Sequence, residues 1–178
     1  MRVQAWLEVW QAAGFAFTVV LGTLQHFLYG WTGGSRWVAP FAAVNESTWE
    51  HMKLLYFPML LFAVVQSFYG REYPHFWCVK AVGTVTGLLL IPLLFYACNG
   101  AFGRSSGWVN IALFFVSAAG AFLLETHLFR RGGGACLTPW AGGVLMAALG
   151  VLFVVFTFLP PPLPLFRDPL TGTYGLKP

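Results

Sequence analysis

The sequence predicts an all-α fold: an integral membrane bundle of five transmembrane helices followed by an extended, Pro-rich C-terminal tail. Hydrophobic residues make up 58% of the 178 positions and charged residues only 9%, whereas soluble domains carry about 25% charged residues. The apolar segments are continuous rather than alternating, which favours helices over the strands of a membrane barrel. Five such segments follow one another, each near the roughly 20 residues that span a bilayer.

The first two predicted spans are bounded by residues that commonly start or end helices. The first covers residues 5–29 and ends at Gly30, since glycine is frequent just after a helix. The second covers residues 45–69 and stops before Gly70. Asn45 is a good N-cap for this second helix, because its side chain accepts a hydrogen bond from an unpaired backbone N–H.

The remaining spans are bounded in the same way. An Asn-Gly pair ends the third span, two arginines and three glycines end the fourth, and three prolines end the fifth. These spans cover residues 76–97, 108–129 and 139–159, and the tail covers residues 160–178. The connections are too short for a soluble domain, so we expect residues 1–178 to form a single membrane domain.

The second span contains ionisable residues that a lipid environment disfavours. Its apolar run, Leu54–Val65, is too short to cross a bilayer alone, so the span must extend into the polar run Asn45–Lys53. Glu50, His51 and Lys53 then come to membrane depth, where each charged group costs about 3 kcal/mol. Because this cost is high, ionisable residues at membrane depth are by default candidates for a functional site.

Counting the crossings places the polar residues on two faces of the membrane. The end of the first span, the start of the second and the tail all meet one face, while Glu125 and His127 fall on the opposite face and are interpreted as interfacial. We therefore expect a polar ligand-binding site near one face, formed by His26, Asn45, Glu46, Glu50, His51, Lys53 and Asp168.

The helical period suggests roles within this cluster. Glu46, Glu50 and Lys53 would share one helix face, with His51 on a neighbouring stripe. If chemistry occurs, Glu50 would be the proton acceptor or ligand, His51 or His26 its partner, and Lys53 the charge that keeps Glu50 ionised. The catalytic candidates are thus Glu50 and His51. A polar helix start at the headgroups and a structural polar knot remain open as alternatives.

Metal binding is possible for this cluster, although the spacing does not indicate it. The chain has no His-Glu-x-x-His motif, and the Glu-x-x-His motif of di-iron bundles fails because Trp49 and Lys53 occupy the required positions. Zinc or another divalent ion could be bound by a set made of His26, Glu46, Glu50 and Asp168, drawn from three separate segments. The first metal candidates are His26, Glu46 and Glu50. The open alternatives are a binding protein for an ion, proton or small ligand, a metal-dependent membrane hydrolase, and a structural or accessory membrane subunit.

The other charges and the cysteines limit the partners. The net charge of +4 comes from scattered residues, so the clustered basic patch of a nucleic-acid protein is missing. The lipid bilayer is the expected partner, and a membrane protein or a second copy is possible.

The odd count of cysteines, Cys78, Cys98 and Cys136, gives no disulfide framework, and we interpret them as small apolar residues. The short-loop arginines and lysines weakly favour a cytoplasmic N-terminus and an external tail.

Several motifs resemble a family of small bacterial multi-pass membrane proteins that is catalogued as a domain of unknown function. The resemblance covers nearly the whole chain, and it implies a bacterial plasma-membrane protein of about this length without implying an activity. Members often carry an acidic residue near the start of the fourth span, where this chain has Asn110. The motifs are His26-Phe27-x-Tyr29, Val44-Asn45-Glu46-Ser47-x-Trp49-Glu50-His51-x-Lys53-Leu54, Ile91-Pro92-Leu93-Leu94-Phe95-Tyr96 and Asp168-Pro169-x-Thr171-Gly172-x-Tyr174-Gly175.

Overall fold

The structure is a computed structural model that describes residues 2–69, 73, 75–103, 106–132 and 140–176. Over these residues the chain forms five α-helices and one short 3-10 helix, without a β-strand. All five α-helices are long and apolar enough to cross a membrane, which confirms the predicted all-helical, five-span fold class. They are α1 (Arg2–Trp31), α2 (Thr48–Tyr69), α3 (Phe76–Phe102), α4 (Gly107–Arg130) and α5 (Ala141–Phe158), and the 3-10 helix is Pro164–Phe166.

Helix α2 lies at the centre of the bundle and is the most buried of the five. It packs against α1, α3, α5 and the 3-10 helix. Tyr56 of α2 is fully buried, and its hydroxyl donates a hydrogen bond to the carbonyl oxygen of Met146 over 2.5 Å. The ring of Phe153 lies 4.9 Å from that of Tyr56. This aromatic and aliphatic core joins α5 to α2 and fixes the helix around which the site is built.

Glycines let neighbouring helices approach closely at two crossings. A Cβ atom on Gly22 of α1 would collide with the backbone carbonyl of Leu54 on α2. A Cβ atom on Gly87 of α3 would lie 2.7 Å from the Leu55 side chain and 3.1 Å from Ala121 of α4. Small residues that permit such backbone approach are typical of helix contacts within membranes.

The start of α2 differs from the prediction. The helix begins at Thr48 rather than at Asn45, and the Asn45 Oδ1 accepts a hydrogen bond from the backbone N–H of Ser47 over 2.9 Å. Ser47 then acts as the cap, because its hydroxyl accepts from the Glu50 N–H and its carbonyl accepts from the His51 N–H. Asn45 instead shapes the turn that leads into the helix.

The tail packs against one end of the bundle. We define the site face as the face that contains the ends of α1, α3 and α5 and the starts of α2 and α4, and we call the other face the N-terminal face. In the tail, Phe166 is buried, with its ring 4.7 Å from that of Trp49. Asn45 Nδ2 donates to the Gly175 carbonyl over 2.9 Å. Both contacts hold the tail on the site face.

The cysteines differ from the expectation in one respect. Cys78, two residues into α3 on the N-terminal face, is disulfide-bonded, so the interpretation of all three cysteines as unpaired is wrong for this residue. Cys98 is a free, partly buried thiol, and Cys136 lies outside the described residues.

Candidate metal centre

The close crossing of α1 and α2 brings two histidines together. His26 lies one turn beyond Gly22 on α1, and His51 lies about one turn before Leu54 on the antiparallel α2. The imidazole rings are 5.4 Å apart between centroids. The close contact of Gly22 with the Leu54 backbone lies about one turn away and brings the two helices together next to these rings.

Glu46 forms a cluster with these two histidines. It lies in the turn before α2, outside the helix. From the turn before Thr48 its carboxylate reaches both rings: Oε1 lies 3.8 Å from Nε2 of His26, and Oε2 lies 3.6 Å from Nε2 of His51. One donor atom from each of the three residues lies within 4.8 Å of the others. The three side chains are partly exposed, at 30%, 43% and 29% for His26, Glu46 and His51, so the cluster is open to a solute.

A backbone hydrogen bond orients the ring of His51. Its Nδ1 lies 2.9 Å from the carbonyl oxygen of Ser47, and a carbonyl can only accept, so Nδ1 carries the proton. The other ring nitrogen, Nε2, lies 3.6 Å from Oε2 of Glu46. In metal-bound histidines one ring nitrogen usually donates to a carbonyl or carboxylate while the other binds the metal, and the Nδ1 contact of His51 matches the first half of this arrangement.

The donor atoms lie slightly farther apart than in a tetrahedral metal site. Ligands about 2.05 Å from Zn²⁺ lie about 3.4 Å from one another. The two Glu46 oxygens lie 3.8 Å and 3.6 Å from the histidine nitrogens, and the three donor atoms lie within 4.8 Å of one another, so the side chains would move closer together around a bound ion. Two imidazoles and one carboxylate are also the ligand set of catalytic zinc sites, which leave the fourth position open.

Glu50 and Lys53 form a separate, buried ion pair. The Glu50 carboxylate and the Lys53 ammonium lie 2.5 Å apart, and only 2% and 0% of the two side chains are exposed. Lys53 Nζ also donates to the Ala39 carbonyl and to the Thr157 hydroxyl, over 2.9 Å and 3.0 Å, which uses all three of its protons. Glu50 also accepts from the Val44 N–H over 2.9 Å.

This arrangement divides the predicted cluster. The structure brings His26, Glu46 and His51 together but places Glu50 against Lys53, so Glu46 and Glu50 do not share a face as expected. Of the predicted metal candidates, His26 and Glu46 lie together with His51. Glu50, the predicted proton acceptor or ligand, is paired with the buried Lys53.

Asn45 and Asp168 position the tail. Asp168 is buried, and its carboxylate accepts from the Leu170 N–H and the Thr171 hydroxyl, each over 2.8 Å. The Gly172 N–H donates to the Asp168 carbonyl, also over 2.8 Å, which closes a turn. Asp168 thus organises this turn, and it does not belong to the group of donors around His26.

A cavity of about 560 Å³ adjoins the cluster. Glu46 and His51 form part of its wall, and the rest comes from α3, α4 and the tail. Its volume is within the 300–1,000 Å³ typical of small-molecule sites. The further lining residues are Thr48, Ile91, Phe95, Tyr96, Asn99, Gly107, Asn110, Leu113, Phe114, Pro169 and Leu170.

A second buried ion pair near the N-terminal face was missed by the sequence analysis. Lys80 and Glu125 lie 2.5 Å apart with at most 1% of either side chain exposed, and the Gln11 amide donates to the same carboxylate over 3.1 Å. Glu125, which the sequence analysis placed at the membrane interface, thus has its side chain buried inside the bundle against Lys80. The available signal was that one acid and one lysine occur inside neighbouring spans and near the same face.

The fold and the cluster define a helical protein with five segments able to cross a membrane and a partly exposed His-Glu-His group at one face. The chain belongs to the family described as "Family of unknown function (DUF6512)", which matches residues 1–176. This confirms the resemblance to an uncharacterised family. No curated protein and no solved structure matches the chain.

Proposed function

We propose that this protein is an integral membrane protein that binds one divalent transition-metal ion of the zinc class through His26, Glu46 and His51. The observation that carries the proposal is the convergence of one donor atom from each residue to within 4.8 Å. Two imidazole ligands favour zinc, copper or nickel over magnesium and calcium, which prefer oxygen ligands throughout. The fixed tautomer of His51 adds support.

A metal-dependent membrane hydrolase is the second candidate. The cavity beside Glu46 and His51 favours it, because a substrate could reach the open coordination position there. The lining around the cluster offers Asn99 and Asn110 rather than a second carboxylate. Glu46 would then have to act both as ligand and as general base, so binding is the better supported function. His51, a catalytic candidate from the sequence, is assigned as a ligand.

A purely structural role, the third alternative, explains the burial of Glu50 and Lys53 but not the other residues of the cluster. Their pair joins the loop before α2 to α5 through Ala39 and Thr157, and every proton of the ammonium group has an acceptor. Such a pair explains why two charges are kept in a span. It does not explain why Glu46 faces two imidazoles, which is the feature that the metal proposal addresses.

We further propose that the protein is a single membrane domain of a bacterial plasma membrane, with the site face towards the cytoplasm. Lys80 is buried and drops out of the loop-charge count that favoured a cytoplasmic N-terminus. Near the span ends, four arginines then remain on the N-terminal face and three on the site face, a difference of only one. Cys78 supports the reverse orientation, because disulfides persist in oxidising compartments and are rare in the cytosol.

Metal titration of the purified protein tests the proposed function. We expect one zinc ion per chain, and an affinity at least about 100-fold weaker in each of His26→Ala, Glu46→Ala and His51→Ala, since each removes a ligand. His127→Ala is the matched control: it removes an exposed histidine of the N-terminal face and should leave the affinity unchanged. Equal zinc affinity in all four variants would contradict the proposal.

A further inference from the structure

The cavity beside the cluster runs from the site face into the interior of the bundle. Along α3 it is lined from Asn99, near the end of the helix, to Ile91, which at 1.5 Å per residue is about 12 Å. Along α4 it is lined from Gly107 to Phe114, about 10 Å. This depth is less than half of the roughly 30 Å hydrocarbon core of a bilayer.

The two ends of the cavity differ in chemistry. The end at the site face is polar and contains Glu46, His51 and the two asparagines. The inner end is apolar, with Ile91, Phe95, Leu113 and Phe114.

Beyond the inner end, the helices close together. Gly87 of α3 packs so tightly against α4 that an added Cβ would lie 3.1 Å from Ala121 and 3.3 Å from the Ser117 carbonyl. Close packing of small residues leaves no room for a longer occupant. The cavity is therefore a blind, amphipathic slot whose polar mouth adjoins the candidate metal centre.

We propose that this slot binds a single-chain amphiphile with an anionic oxygen headgroup, such as a monoalkyl phosphate. The inference rests on the proposed metal site, whose open position would take an oxygen of the headgroup. The hydrocarbon chain lies along Phe95 and Leu113, because each buried methylene group stabilises the complex. Pro169 and Leu170 of the tail line the same cavity and lie beside the bound molecule.

The probe is the Co²⁺-loaded protein in phosphatidylcholine nanodiscs, titrated with inorganic phosphate and with butyl, octyl and dodecyl phosphate. Co²⁺ accepts the same ligands as Zn²⁺, and its visible absorption changes when an oxygen anion enters the open position. We expect octyl phosphate to bind at least about 10-fold more tightly than inorganic phosphate. Affinity should rise from butyl to octyl and level off at dodecyl, since the slot is about 12 Å deep. Simple partition into the bilayer would continue to rise with chain length.

Two variants distinguish binding of the amphiphile in the slot from its partition into the bilayer. Leu113→Trp fills the inner end and should abolish the preference for octyl phosphate while the Co²⁺ spectrum persists. Ile111→Trp places the same side chain on an exposed position of α4 and should change neither. Equal affinities for inorganic and octyl phosphate, a chain-length series without a plateau, or an unchanged preference in Leu113→Trp would each overturn the amphiphile proposal alone. A wild-type protein that gives no Co²⁺ spectrum would overturn the metal site and this inference together.

Discussion

Glu50 lies close in the chain to Glu46 and His51, but its charge is used in a buried ion pair. Its carboxylate is held by Lys53 and the Val44 N–H, and the loop that these contacts order contains Glu46. Removing one partner of a buried ion pair leaves the other charge uncompensated. The pair therefore stabilises the segment that carries Glu46, whereas the proposed metal ligands are other side chains.

The first prediction at the scale of the residue concerns Glu50→Gln. We expect the free energy of unfolding to fall by about 3 kcal/mol, measured by thermal or denaturant unfolding in micelles, while the folded fraction still binds one zinc ion. Glu8→Gln is the control, because it breaks an exposed ion pair with Arg130 and should cost less than about 1 kcal/mol. Loss of zinc from a fully stable Glu50→Gln protein would show that Glu50 is a ligand.

The position of Glu46 could not be predicted from the helical period. The period places Glu46 and Glu50 on one face only if the helix already includes Asn45. The turn formed by Asn45 and the cap formed by Ser47 delay the helix to Thr48, and Glu46 consequently turns towards the histidines. The crossing count did place His26, Glu46 and His51 on the same face, and in the structure their side chains lie next to one another. That they bind a ligand remains a prediction.

At the scale of the element, the crossing of α1 and α2 controls the cluster. The imidazoles of His26 and His51 lie 5.4 Å apart between centroids, about one turn from the point where the two backbones approach closely. Gly22 permits this approach against the Leu54 carbonyl. The site therefore depends on a residue that carries no functional group.

Gly22→Ala tests this dependence. The added methyl group would meet the Leu54 carbonyl, which cannot move without displacing the helix, so α1 must shift away from α2. We expect zinc affinity to fall at least about 10-fold, as for other changes that disturb ligand orientation. Gly30→Ala adds the same group on α1 where no atom lies within 4 Å, and it should bind zinc as the wild type does. Unchanged affinity in Gly22→Ala would show that the crossing does not set the site.

The existence of the helices was predictable, whereas some of their ends were not. Continuous apolar segments can satisfy their backbone hydrogen bonds in lipid only as helices, so five spans follow from composition. The end of α3 was predicted before Asn99, yet the helix continues to Phe102. The Asn99 amide donates to the Phe95 carbonyl within the helix over 2.8 Å, so this asparagine is compatible with continued helix.

At the scale of the whole molecule, a buried lysine–glutamate pair lies near each face. Glu50 and Lys53 join α2 to the loop and α5 near the site face, and Lys80 and Glu125 join α3 to α4 near the other. The second pair could not be predicted from spacing, because its members are 45 residues apart in the chain. Only the packing of α3 on α4 brings them together.

The orientation of the molecule is testable with a C-terminal fusion. The tail follows α5 on the site face, and the disulfide of Cys78 favours an oxidising compartment on the opposite side. We expect a C-terminal green fluorescent protein to fluoresce in bacterial cells and a C-terminal alkaline phosphatase to be inactive. An active phosphatase fusion and a dark fluorescent fusion would instead support the external tail that the loop charges first favoured.

The most direct test of the metal centre is X-ray absorption at the zinc edge of the loaded protein. The account predicts nitrogen and oxygen ligands at about 2.0–2.1 Å and the scattering of two imidazoles, reduced to one imidazole in His26→Gln. Sulfur ligands at about 2.3 Å, or a spectrum that His26→Gln leaves unchanged, would contradict a site made of His26, Glu46 and His51.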